Sequence, residues 1–430
     1  PFLTYPAIPT PEVLTELKNG KTSVELNLNE GGRPKLYLRR PLLFLQHPTS
    51  GTTLLWPKLF SFRAMKDGLK HIISKIEQLQ SRGTAYFPEG IFPAHRMNPL
   101  IGYQRPDTTI FFSAIIAFTL RSIRNETEGE VRSVIDKICA GVIRNYPEFE
   151  NKDGLATYNF WRTKPSRHFP NGYIFRHFEH FRIPDDIDDT AFIYLTTDRT
   201  SEEALWLKSK LAAHANRARQ QIRNTFEEYR ELEAYSTWFG KNMYIEFDAC
   251  VLSNVLYCIY HYNLPLNRND EDSLRYIRSV IETNRYLETP FRCAHQYPRT
   301  SLILYHVSRL IEKFDPVLLM DVKSKIIEDA KKLLSTASNP MDRVILSSSL
   351  LRFGVKTPRI AVENFTEMDF KGFYFFIAGL LTAYEHKLLY KMAEHPLFHM
   401  HWICNAHSWT LLAEYEILWN RAEQHNISEF

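Results

Sequence analysis

Four aspartates fall within the stretch RIPDDIDDTAFIYLTT, residues 182–197: Asp185, Asp186, Asp188 and Asp189. At neutral pH they repel one another. Each further ionisation is made against the first, so at least one carboxyl is pushed toward its neutral form. An apolar run follows directly. Two readings fit that order. Acidic residues at a helix start are favoured by the helix dipole and can cap free backbone N–H groups. A carboxyl held neutral at the mouth of an apolar segment is also a proton donor, provided fixed hydrogen-bond donors stabilise the anion left behind.

Asp186 to Ala191 read DIDDTA. This resembles the DxDDTA motif of class II terpene cyclases, the family that includes squalene-hopene cyclases and plant copalyl diphosphate synthases. The resemblance implies a helical toroid and cyclisation of a linear isoprenoid, begun by protonation of an alkene or epoxide. By position in the motif it makes Asp188 the proton donor. Asp186 and Asp189 then tune and hold it, and Thr190 supports the helix start. The chemistry itself uses no metal, although Mg2+ would accompany a substrate bearing a diphosphate. The glutamine-tryptophan repeats of triterpene cyclases are absent, and one barrel is expected where family members usually close the site between two.

The same residues allow other chemistry. Asp185, Asp186 and Asp189 spell DDxxD, which resembles the magnesium-diphosphate motif of class I terpene synthases. The second motif of those enzymes has a near match in NDEDSLRYI, from Asn269, but Ile277 stands where a glutamate belongs. A carbohydrate-active hydrolase or lyase with Asp248 as its second carboxylate is a further alternative, as is an inactive cyclase-like protein that binds lipid.

A carbocation needs π faces around it and no nucleophilic water. Trp161, with Tyr158, lies in YNFW ahead of the acid cluster, and Trp238 and Phe239 lie in STWFG ahead of a further helix opening at Asp248. Aromatics at helical spacing are ordinarily core, whereas the two tryptophans stand in loops beside helix starts. Asp248, Asn254, His295 and Tyr297 belong to other helix openings and complete the expected set. His295 joins the three aspartates as catalytic, and the remainder line the substrate.

Positioning such a set requires helices. Low glycine (16 of 430 residues) with abundant Leu, Ile, Ala, Glu, Lys and Arg favours them. Stretches opening at Asp107, Asp188, Asp248, Pro298, Met341 and Ala406 share one layout, a polar or capping residue followed by a strongly apolar helix. Amphipathic, charged helices alternate with them, including EGEVRSVIDKICAGVIRNY and SEEALWLKSKLAAHANRARQQIRNTFEEY. FKGFYFFIAGLLTAYEHKLL is expected as the partner of the last. Alternating buried and half-wet helices predict an all-α (α/α)6 toroid over residues 64–430, the inner helix starts sharing one mouth. Residues 1–63, with β-like runs such as KLYLRRPLLFL, are expected as an irregular arm packed on the body.

Composition narrows the partners. A net charge of +4, without a basic stripe interleaved with aromatics, excludes nucleic acid as a favoured partner. No run of about eighteen apolar residues is present for a membrane span, which leaves peripheral membrane contact open. Five scattered cysteines form no CxxC pair, so neither zinc nor a disulfide framework is expected, and reduced thiols in a cytoplasmic protein are. The expected partner is a hydrophobic isoprenoid. Oligomeric state is not legible.

Overall fold

The structure is a computed structural model, and it describes residues 23–25, 35–39, 42–46, 56–167, 182–382 and 384–428. The chain divides into two compact units, Pro1–Lys70 and His71–Phe430. In the first, strands β1 (Ser23–Glu25), β2 (Lys35–Arg39) and β3 (Leu42–Gln46) form an antiparallel sheet in that order. Within KLYLRRPLLFL, Lys35–Arg39 thus pairs antiparallel with Leu42–Gln46, Arg39 opposite Leu42. Most of the expected arm, 1–63, lies outside the described residues. Helix α1 spans Trp56–Leu79, and its C-terminal part belongs to the second unit.

The second unit is helix-rich. Its longer helices are α2 (Phe111–Ile123), α3 (Gly129–Ile143), α4 (Ile187–Thr196), α5 (Ser201–Ala212), α6 (Ala249–His261) and α7 (Arg268–Glu282). They continue with α8 (Thr300–Phe314), α9 (Lys323–Thr336), α10 (Pro340–Arg352), α11 (Lys387–Ala393) and α12 (Asn405–Ser428). The apolar stretches singled out above are α2, α4, α6, α8, α10 and α12. Each packs on the next in that order, and α12 packs on α2. Their residues are buried almost all round; α6 is buried from Ala249 to Ile259. By contrast α3 and α9 bury one stripe each, against α2 and α10 respectively.

Local chemistry sets the helix starts. Asp186 caps α4 by accepting from the backbone N–H of Asp188 (2.6 Å) and Asp189 (3.0 Å). Asp248 caps α6 through Cys250 (2.8 Å) and Val251 (3.1 Å). Thr200 with Glu203, and Asn267 with Asp270, form capping boxes on α5 and α7.

Two expectations are corrected. The chain is not all-α: beside the first unit's sheet, the second unit holds β4 (Ala94–Asn98), β5 (Tyr103–Asp107), β6 (Phe376–Gly379) and β7 (His399–Ile403), antiparallel in the order β5-β4-β7-β6. FKGFYFFIAGLLTAYEHKLL is accordingly no single helix. Phe376–Gly379 within it form β6, where Phe376 faces Trp402 across the ladder and the two rings stack at 5.4 Å. A short apolar run has no decisive period, and aromatic residues prefer a pleated, half-buried surface. The second correction is the long charged helix expected from Ser201, which ends at Ala212. Beyond it the Asn216 side chain accepts from Ile222 N–H and donates to the carbonyls of Arg230 and Leu232, holding the backbone in a loop.

Candidate active site

The loops ahead of the apolar helices are tied to one another. Asp186 N–H donates to Tyr158 O (2.9 Å), Ile187 N–H to Thr237 O (3.1 Å), and Phe239 N–H to Asp185 O (3.1 Å). Ile110 reaches Phe160 O, and Ile377 reaches Gln296 O. The start of α4 is thus bonded to the stretches at Tyr158 and Thr237, Ile110 joins through Phe160, and Gln296 and Ile377 are joined to each other. Between these stretches lies a cavity of about 70 Å³, lined by Asp186, Asp188 and Asp189 and by Phe111, Phe160, Trp161, Trp238, Tyr297, Phe376 and Trp402.

Asp188 occupies its floor, 3% exposed. One carboxylate oxygen accepts from Asn254 Nδ2 at 2.7 Å, and the other from the Tyr297 hydroxyl. Behind Asn254, Arg309 donates to its side-chain oxygen. That guanidinium is buried among the rings of Phe118 (5.0 Å), Tyr305 (5.4 Å) and Phe192 (5.6 Å). Burial pushes Asp188 up to about 6; the hydrogen bonds from Tyr297 and Asn254 and the charge of Arg309 oppose it. Burial also lifts Asp186 and Asp189 well above the carboxylate range, and the neighbouring aspartates add to the effect. Of the three, Asp188 alone has a side-chain donor on each carboxylate oxygen, so its conjugate base is held by fixed donors facing the cavity.

Asp189 is fully buried, and neither of its carboxyl oxygens has a hydrogen-bond partner among the described residues. Leaving a buried polar group unsatisfied costs about 1–3 kcal/mol. Asp189→Leu, of similar size, should raise the thermal midpoint by a few degrees while impairing any proton chemistry; an unchanged or lower midpoint in a melting curve would show that Asp189 has a partner the fold depends on.

The other expected residues are distributed as follows. Trp161 and Trp238 line the acid cavity. Tyr158 does not; its hydroxyl accepts from Arg199 at 2.8 Å. Phe239 lines a neighbouring cavity with Asp185, 5.6 Å from the His214 ring. Asn254 and Tyr297 hold Asp188 itself. Asp248 lies outside the cavity lining and also accepts from Gln296 N–H (2.8 Å). His295 meets Tyr390 Oη at 2.7 Å, and its Nδ1 is 3.7 Å from Glu246. Neither ring nitrogen is hydrogen-bonded to an aspartate among the described residues. Asp185 is turned away, accepting from Asn151, Thr157 (2.6 Å) and Asn159 (3.3 Å). The carboxylates of DDxxD therefore do not converge, and among the described residues no group of three His, Cys, Asp or Glu is placed to hold a metal ion.

Sequence reasoning missed Asp107, Glu246 and Arg309. Asp107 accepts from the indoles of Trp161 (3.1 Å) and Trp402 (3.0 Å) and so fixes two walls of the cavity. Its signal was present, since it opens the first apolar stretch. Arg309 was legible as a charge inside the apolar run LILYHVSRLI.

Burial pushes Glu246 up to about 7 and Asp248 up to about 8. Both are protonated in the fold and ionised in the unfolded chain above about pH 4, so folding takes up protons. Their stabilisation is complete below that pH and is lost as pH rises toward 7 and 8. Buried histidines oppose this only below about 6.5, where the unfolded chain binds their protons. The midpoint should therefore fall between pH 6.5 and 8, with a slope of about 1.4 kcal/mol per pH unit for each proton retained. A midpoint that is level or rises over that interval would contradict the assignment.

The chain matches no protein-family model, no curated protein and no solved structure. All five cysteines are buried and unpaired. Among the described residues no helix is long and apolar enough to cross a membrane.

Proposed function

We propose that this protein is a protonation-initiated isoprenoid cyclase of the class II type, and that α2, α4, α6, α8, α10 and α12 are the inner circle of an (α/α)6 toroid. One observation carries the reading: Asp188 opens into an aromatic-walled cavity while two hydrogen-bond donors, one backed by a buried arginine, wait on its conjugate base.

In the proposed reaction the Asp188 hydroxyl gives its proton to the less substituted, CH carbon of the chain's terminal trisubstituted alkene. The π pair becomes the new C–H bond, and the O–H pair stays on the carboxylate. Tyr297 and Asn254 stabilise that anion, each charged hydrogen bond contributing about 1.5–3 kcal/mol. The tertiary cation beside the new C–H bond faces Phe111, Phe376 and Trp402, where a desolvated cation–π contact is worth about 2 kcal/mol. The next alkene attacks it and closes a ring. Loss of a proton from carbon ends the sequence, so the net reaction is an isomerisation. The inner helix starts add a favourable potential for the carboxylate.

The reading is tested by incubating the purified protein with linear isoprenoid alcohols, their diphosphates and squalene. Cyclic products of unchanged mass are expected. Release of diphosphate with a hydrocarbon product would contradict it.

A further inference from the structure

At about 70 Å³ the acid cavity is well below the roughly 300–1,000 Å³ of small-molecule sites. Beside it lies a second cavity of about 410 Å³, with walls from Met97, Gln104, Phe112, Phe375, His401 and His407. One layer of aromatic rings divides the two. Phe376 of the acid cavity packs 5.2 Å from Phe112 of the larger one, and Tyr297 of the acid cavity packs edge-on 5.7 Å from Phe375. The larger cavity is mainly apolar, yet Nε2 of His401 and Nε2 of His407 are buried at its wall without a hydrogen-bond partner among the described residues. His407 is only 1% exposed. Burial lowers His401 to about 4 and His407 to about 3, so both rings are neutral near pH 7. Neutral imidazoles satisfy a hydroxyl or carbonyl and give a diphosphate no countercharge.

We infer that this second cavity binds the unreactive end of the substrate, and that this end carries a neutral hydrogen-bonding group, such as a hydroxyl, in place of a diphosphate. The inference rests on the cyclase reading and narrows its substrate class. A chain that crosses the aromatic layer sets its terminal alkene beside Asp188 and its polar end beside His407. Phe112 and Phe375 then decide which chains can cross.

Binding tests this without turnover, through quenching of the tryptophans that line the acid cavity. Farnesol, farnesyl diphosphate and the hydrocarbon farnesene are each titrated into the full chain. Farnesol should bind at least about 10-fold more tightly than the diphosphate. His407→Phe should weaken farnesol about 10-fold, the loss of one hydrogen bond to a buried group, and leave farnesene unchanged. Gln104→Trp, at an exposed position on the cavity wall, should weaken both without disturbing the core. Tighter binding of the diphosphate, or farnesol binding that neither variant alters, overturns the inference and leaves the cyclase reading standing. Failure of all three ligands to bind the unsubstituted chain removes both.

Discussion

Asp188→Asn protein stays folded and forms cyclic product at least about 10³-fold more slowly, because the transferable proton is gone. The amide fits the same space; it can accept from Asn254 and donate to the Tyr297 hydroxyl, whose own proton then loses its acceptor at a cost of about 1–3 kcal/mol in stability. Asp185→Asn is the matched comparison. Asp185 faces the neighbouring cavity and its oxygens are taken by Asn151, Thr157 and Asn159, so its loss costs stability and leaves turnover within about 10-fold of the unsubstituted rate. Product analysis and circular dichroism on both variants check the pair. A metal-driven ionisation reverses the order, since Asp185 opens DDxxD and Asp188 occupies a variable position in it. Product that persists in Asp188→Asn and vanishes in Asp185→Asn would therefore revive the metal reading.

Tyr297→Phe slows turnover by about 10²–10³-fold, the usual cost of removing one donor from a developing oxyanion. It also moves the pH profile. The active form of Asp188 is protonated, so with burial pushing it up to about 6, kcat/KM falls as pH rises through that value. The Tyr297 hydroxyl stabilises only the anion, and removing it raises the pKa. The variant is thus a weaker acid that stays loaded to higher pH, and its falling limb shifts upward. A reduced rate with an unmoved limb would mean that Tyr297 only packs against Phe375 and Phe376.

The helices that carry Asp188 and Asn254 could be read because each begins with a capping side chain and continues into an apolar run that only burial on all sides accommodates. Asp186 and Asp248 are such caps in the structure. The cap and acid readings of the cluster also prove compatible: Asp186 is spent on the backbone of Asp188 and Asp189, which leaves Asp188 free for the cavity. What could not be read was direction. Tyr158, Trp161 and Phe239 sit in similar loops near the same helix start, yet only Trp161 turns into the acid cavity. That choice is made by Asp107, a residue distant in sequence whose carboxylate takes the indole N–H. The strands were hidden for a different reason. Phe376 and Trp402 gain their partners only once β6 and β7 pair, and no local period announces a ladder formed between segments so far apart.

Turnover in D2O tests proton-first initiation most directly. Each cyclic product molecule is expected to carry one carbon-bound deuterium from solvent at the site of initiation, with the non-exchangeable mass raised by one unit, and Asp188→Asn protein to yield no such species. Cyclic product without solvent deuterium, from an isoprenoid diphosphate that loses its leaving group, would contradict it.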